Sequence, residues 1–137
     1  MAYLLDSGFL FGFIDETDKN NERIGEILEN IIEPIVLPVP AITEVAYFVS
    51  KYLGVAALAN FLDETSQTDF VLETPTSEDY KRAADVLRKY NDANIDFVDA
   101  LIMAIAERLK ITKILTVDQR HFGMFRPAHC KAFEILP

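Results

Sequence analysis

The sequence predicts an α/β protein with a central parallel sheet of four to five short strands and helices on both faces. Two observations carry this. Short apolar, β-favouring runs alternate with segments of helical period, the pattern of a parallel sheet joined by crossover helices. The segment Ile95–Phe122, IDFVDALIMAIAERLKITKILTVDQRHF, then reads as a polar helix start, a helix apolar on almost every face, and a short strand ending on an acid. Phe97, Val98, Leu101, Ile102, Ile105 and Leu109 leave no clean polar stripe, as expected of a helix buried on both sides.

Tyr3-Leu4-Leu5 is the first strand, running into Asp6-Ser7-Gly8 at a strand-to-loop junction. Phe9–Ile14 is a dense apolar run that reads as a turn of helix under the core, broken by the polar stretch Asp15–Asn21. Ile24, Ile27, Leu28 and Ile31 recur at helical spacing and make Asn21–Glu33 amphipathic. Ile35-Val36-Leu37 is a second strand closed by Pro38. Pro40 suits a first helical position, where a missing N–H costs nothing. The helix it opens runs to Tyr52, with Val45, Phe48, Val49 and Tyr52 on its apolar side and Glu44 about one turn in, beside the positive helix end. Gly54 breaks the run. Val55–Glu64 is the next helix, with Leu58, Phe61 and Leu62 inward, and Phe70-Val71-Leu72 the third strand.

Thr76 and Asp79 have the spacing of a capping box opening a helix to about Tyr90. Its expected buried stripe is Tyr80, Ala83, Leu87 and Tyr90, and Arg88 and Lys89 complement its negative end. Ile114–Val117 is a strand delivering Asp118 at its carboxyl end, and Phe133–Leu136 is a last short strand. No repeat, linker or low-complexity tract divides residues 1–137, so one domain is expected.

Composition narrows the function classes. Thirteen basic against 22 acidic residues leave a net charge of -9. That argues against holding nucleic acid by a general positive field. It leaves room for a polyanion at one site where bound cations reverse the local charge, and it suits a partner carrying a basic peptide. The single Cys130 excludes an internal disulfide, and a buried reduced thiol is expected. No uncharged run approaches the ~18 residues of a membrane span. The apolar start MAYLLDSGFLFGF lacks a basic leader and is broken by Asp6, so no signal peptide is expected, and the protein reads as cytoplasmic.

Ligands of parallel sheets bind outside the carboxyl ends of the strands. Asp6 and Asp118 fall at two such ends, and Glu44 and Asp99 in first turns of helices that follow or face them. Four acids from four places in the sequence can therefore meet at one spot. Two carboxylates ~5 Å apart at an effective dielectric of about 20 repel by about 3 kcal/mol, a cost that packing alone does not explain. Hard divalent cations want such oxygen ligands. Two ions about 4 Å apart activate a water and stabilise a leaving oxygen in phosphodiester cleavage. Singly, each acid has a plainer role: Asp96 as an N-cap with Asp99 at the third helical position, Asp6 opening a turn, Asp118 capping a short helix, Glu44 answering a helix dipole.

The pieces LLDS, ITEV, FVDALIMAIAERL and ILTVDQRHF followed by FRPAH span nearly the whole chain, and in their order and spacing the sequence resembles a PIN domain of the small, stand-alone VapC type found in prokaryotic toxin–antitoxin pairs. The resemblance implies a three-layer α/β/α PIN-like fold and an Mg²⁺- or Mn²⁺-dependent ribonuclease with one or two ions per site, acting on RNA. It also implies a homodimer inhibited by a cognate antitoxin. By position Asp6, Glu44, Asp99 and Asp118 match the acidic quartet that binds metal and catalyses. Asp96 matches a supporting acid, and Ser7 and Thr116 match hydroxyl residues that hold aspartates; turn Ser and strand Thr remain the alternative. Arg120 and Arg126 are candidates for RNA phosphates or are simply solubilising. For His121 and His129 surface or packing roles are expected.

Two other readings compete. An aspartyl-nucleophile phosphatase of the haloacid-dehalogenase type would carry a second Asp where Gly8 stands. A response-regulator receiver needs a lysine after its last strand, and here Lys131 precedes that strand. A non-catalytic PIN-like binding module is the remaining alternative, against which the full quartet argues. The apolar faces of Pro40–Tyr52 and Val55–Glu64 are expected to serve core packing, a dimer face or an antitoxin groove.

Overall fold

A computed structural model describes the whole chain, Met1–Pro137. Its elements are β1 (Tyr3–Leu5), α1 (Ser7–Ile14), α2 (Asn21–Asn30), β2 (Ile35–Pro38), α3 (Val39–Leu53), α4 (Val55–Ser66), β3 (Val71–Glu73), α5 (Ser77–Lys89), α6 (Phe97–Leu109), β4 (Lys113–Leu115), α7 (Gln119–Met124) and β5 (Glu134–Leu136). The five strands form one parallel sheet in the order β3-β2-β1-β4-β5, flanked by the seven helices in the expected α/β/α arrangement. β1 and β2 are buried throughout, which accounts for their unbroken apolar sequences. The outer strands β3 and β5 have three residues each and are more exposed, so little unpaired edge is offered.

The chain leaves central β1 for β2 and β3 on one side, then returns past β1 to lay down β4 and β5 on the other. The strand order therefore switches between β1 and β4, where open α/β sheets keep their ligand crevice. Leu5 pairs with Leu115, so Asp6 and Thr116 leave the sheet side by side.

α6 is buried from Val98 through Ala106. Phe97, at its first position, departs from the expected burial with 60% exposure, and Leu109 at its last is half-buried. A salt-bridge brace fixes α6 in place. Arg108 reaches Asp79 of α5 at 2.9 Å and Glu73 of β3 at 2.9 Å. Glu107 receives Arg82 at 2.6 Å and the Ala128 N–H at 2.7 Å.

The structure corrects several boundaries and faces. α1 is a full two-turn helix that starts directly after β1 rather than at Phe9, because Asp6 caps it by accepting the Ser7 N–H. α3 begins at Val39, so Pro40 stands second; the first four helical N–H groups lack partners anyway, and proline is tolerated there too. α2 ends at Asn30, three residues short of Glu33, and β3 and β4 are shifted from their expected spans. On α5 the buried residues are Asp79, Ala83 and Val86, while Tyr80 and Leu87 are exposed. The stripe turns by one position because Asp79, besides closing the expected capping box with Thr76, is drawn in by Arg108. Tyr52 and Leu62 are likewise exposed rather than inward, and Cys130 is half-buried.

Asp79→Ala removes the hydrogen bond to the Thr76 N–H and one partner of Arg108, leaving Glu73 as the other. Urea unfolding of this variant is expected to show a loss of about 2–3 kcal/mol, the sum of a lost cap and a lost charge-assisted bond.

Candidate active site

The carboxyl ends of β1 and β4 supply the first groups. Asp6 is 4% exposed. Its Oδ1 accepts the Ser7 N–H at 2.8 Å and its Oδ2 accepts the Thr116 hydroxyl at 2.6 Å. Thr116 follows β4 rather than lying in it, and its Oγ1 also accepts the Asp118 N–H at 2.9 Å. One buried hydroxyl thus spans the two acids that end β1 and follow β4. The Ser7 hydroxyl donates to Glu44 Oε1. Glu44 lies in the second turn of α3, past the reach of the helix-end field, so Ser7 rather than a dipole is what the structure offers to hold it.

Asp99 enters from the first turn of α6. Asp96 is the N-cap of that helix and accepts the Asp99 N–H at 2.9 Å, so the two acids are coupled through the cap while Asp96 itself is exposed. Asp118 caps α7 by accepting the His121 N–H at 3.0 Å. The same fold of the chain turns His121 inward, with Nδ1 2.7 Å from Asp118 Oδ2 and 3.9 Å from Asp99 Oδ2. His121 is the residue that sequence reading assigned elsewhere. The three-residue offset from Asp118 carried the signal, because a capping acid and its third helical residue face each other.

Arg120 is exposed on α7. Arg126 directs its guanidinium to the carbonyls of Gly123 and Phe125, at 2.7 and 3.2 Å, closing the end of α7. His129 binds the Ile111 carbonyl at 2.7 Å in a packing role.

The electrostatics are those of crowded acids. Burial pushes Asp6 up to about 6, against the bonds from Thr116 and Ser7, with Glu44 and Asp118 adding to the rise. Burial, then the charges of Asp96, Asp6 and Asp118, push Asp99 up to about 8, which His121 partly relieves. His121 is itself raised by its hydrogen bond to Asp118. The donor set is therefore oxygen-rich, anionic and unfavourable when left alone, which is what a hard divalent cation offsets. Asp6, Glu44, Asp99 and Asp118 fit such an ion.

A carboxylate raised in the folded state binds more protons folded than unfolded between its two pKa values, so stability falls as pH rises through that window. For Asp6 the window is about 3.8 to 6, and for Asp99 about 3.8 to 8. A raised histidine has the same sign, its contribution being lost as pH rises through the folded value. In chelator, thermal melting is expected to fall between pH 5 and pH 8, and the fall to flatten in Asp99→Asn.

Comparisons with known proteins bear on the fold and the family. The PIN domain model matches residues 3–124. The chain is 26% identical over 134 residues to ribonuclease VapC26 of Mycobacterium tuberculosis, covering 98% of this chain and 99% of that protein. Among solved structures, VapC20 of M. tuberculosis, a toxin that cleaves the sarcin–ricin loop, superimposes with a TM-score of 0.81 at 14% identity, over 86% of this chain and 91% of that one. VapBC2 of Rickettsia felis, bound to a promoter DNA fragment, gives 0.72 at 17% identity with both chains fully covered. FitAcB of Neisseria gonorrhoeae gives 0.71 at 19%, over 98% of this chain and 96% of that one. With a family match over nearly its whole length and the acids gathered at the β1–β4 crevice, the chain belongs to the PIN domain family.

Proposed function

We propose that residues 1–137, as a single PIN-type domain, form an Mg²⁺- or Mn²⁺-dependent endoribonuclease that cleaves RNA in the cytoplasm and is the toxin of a toxin–antitoxin pair. The observation that carries this is the meeting of Asp6, Glu44, Asp99 and Asp118 at the carboxyl ends of β1 and β4, with Asp6 raised by burial and then by Glu44 and Asp118, and Asp99 by burial and then by Asp96, Asp6 and Asp118. The ribonuclease and toxin–antitoxin names of the similar proteins support the same reading.

Asp6, Glu44, Asp99 and Asp118 would hold one or two divalent ions, which would supply Lewis acidity for phosphodiester cleavage. The chain's own residues fix the frame. Thr116 and Ser7 orient Asp6, Ser7 reaches Glu44, and Asp96 fixes the backbone entry of Asp99. Arg120, exposed on the helix that Asp118 caps, and Arg126, just past its end, are the candidates for an RNA phosphate, although Arg126 is partly engaged by carbonyls.

Partners follow from the surface. An apolar cleft lined by Leu10, Phe13, Ile14, Phe61 and Phe70 adjoins a second one rimmed by Glu16, Glu22, Glu26, Glu29 and Glu64. Together they suit an amphipathic antitoxin segment with a basic edge. Tyr47, Tyr52, Leu53, Val55 and Leu62 stand exposed on α3 and α4 and supply an apolar face for a homodimer.

The catalytic test is cleavage of total tRNA and ribosomal RNA with Mg²⁺, with Mn²⁺ and with chelator. Discrete products are expected that vanish with chelator and fall by at least ~10³-fold in Asp99→Asn, on the scale of losing an electrostatic catalytic group. Metal-free Asp99→Asn is expected to melt at an equal or higher temperature than the parent, because a repelled buried charge has gone. An absence of both cleavage and calorimetric metal binding would return the protein to the non-catalytic module.

The acidic rim makes a separate prediction. Reversing Glu22, Glu26 and Glu29 to lysine is expected to weaken capture of the co-expressed antitoxin by at least ~10-fold while leaving RNA cleavage intact, since rim charges steer association. Pull-down and cleavage on the same preparation check both halves.

A further inference from the structure

The metal reading leaves one inward-facing group unused. His121 is one of only two histidines in the chain, and its side chain is 17% exposed. Its Nε2 lies 2.7 Å from the carbonyl of Ala93, in the turn between α5 and α6. Ala93 is buried, and its N–H is tied to the Tyr90 carbonyl at 3.0 Å. A carbonyl only accepts, so Nε2 carries a hydrogen, and in the neutral ring the lone pair is on Nδ1. That nitrogen faces Asp118 Oδ2 at 2.7 Å and Asp99 Oδ2 at 3.9 Å. One ligand atom each from Asp99, Asp118 and His121 lie within 4.8 Å of one another.

Metal-ligating histidines are oriented in this way: the second ring nitrogen donates to a backbone carbonyl or a carboxylate, which fixes the tautomer and aims the free nitrogen at the ion. The Ala93 carbonyl comes from outside the acid cluster, so the ring is aimed by an element that has no other part in the site.

We propose that His121 is a metal ligand, its Nδ1 joining Asp99 and Asp118 in a mixed nitrogen–oxygen subsite that favours Mn²⁺ or another first-row transition ion over Mg²⁺. The preference follows from chemistry: Mg²⁺ takes oxygen ligands and retains its waters, whereas first-row transition ions accept an imidazole nitrogen, Mn²⁺ the least strongly of the series and the later ions more so. This rests on the metal-dependent reading of the site and adds the class of ion to it.

The test is pulsed electron paramagnetic resonance of the Mn²⁺-loaded full chain, read for ¹⁴N coupling, with calorimetric titration of Mn²⁺ and Mg²⁺ alongside. The parent and His129→Ala are expected to show the nitrogen coupling and His121→Ala to lose it. His121→Asn keeps a donor for Asp118 but offers no imidazole. It is expected to bind Mn²⁺ roughly 10- to 100-fold more weakly, the scale on which altered metal-site groups act, with Mg²⁺ changed far less. Mn²⁺-loaded parent without nitrogen coupling would overturn the proposal and leave His121 as a positioning partner of Asp118. Equal loss of both ions in His121→Asn would overturn it too. A parent that binds neither ion would overturn the metal-dependent nuclease reading as well, so the two failures are distinguishable.

Discussion

The site depends on the parallel pairing of β1 with β4. Leu5 opposite Leu115 sets the register, and the Asp6 N–H closes it on the Leu115 carbonyl at 2.9 Å. From that pairing Thr116 emerges beside Asp6, and its single hydroxyl donates to one acid while accepting from the backbone of the other. A shift of one residue would turn every side chain of β4 to the opposite face and leave Asp6 with its Oδ2 unpaired in a buried place. The strands are three residues long, so the register is held by burial: Leu4, Leu5, Ile114 and Leu115 are fully enclosed.

Holding the acids together works against the fold, and the remainder of the molecule offsets it. α6 contributes a continuous buried run from Val98 to Ala106 in which Asp99 is the single ionisable side chain. Each enclosed Leu, Ile or Met contributes on the order of 1.5–3 kcal/mol relative to exposure, so a few of them outweigh one pair of repelled carboxylates. The Arg108–Asp79–Glu73 and Arg82–Glu107 bridges then fix the far end of the helix without placing a cation near the acids. The group that relieves Asp99 from within the cluster is the His121 ring, which lies against Asp118 and faces Asp99.

Much of this was legible in the sequence, and the limits are physical. Asp6 and Asp118 stood out because each follows a short apolar run, and Asp99 because an acid opened a helix with no polar face. Such signals are local, and they survive without knowledge of strand order. Glu44 was placed by the same logic, but the account of what holds it was not: a hydroxyl 37 residues away replaces the helix dipole. The face of α5 was misjudged because apolar periodicity ignores a buried ion pair, and Asp79 outweighed Tyr80 in choosing the rotation. His121 was missed for a related reason. Its three-residue offset from Asp118 is a local signal, but the Ala93 carbonyl that aims the ring is 28 residues away in sequence, and no local pattern encodes that.

The acidic balance of the chain bears on how the proposed nuclease meets its substrate. A polyanion approaching a protein of net charge -9 gains nothing from the general field, and four carboxylates at the crevice make the last approach the least favourable part. Arg120 and Arg126 are too few to reverse that, and Arg126 is partly occupied at the end of α7. In the proposed nuclease, affinity for RNA would come with a bound cation, so the carboxylates that repel the substrate in the metal-free protein would also hold the ion that attracts it. The same acidic surface remains available elsewhere, along α2, for a basic protein segment. One sign of charge thus disfavours free RNA over most of the molecule and favours a protein partner. In the proposed reading the acids at the ends of β1 and β4 are where a bound cation would invert it.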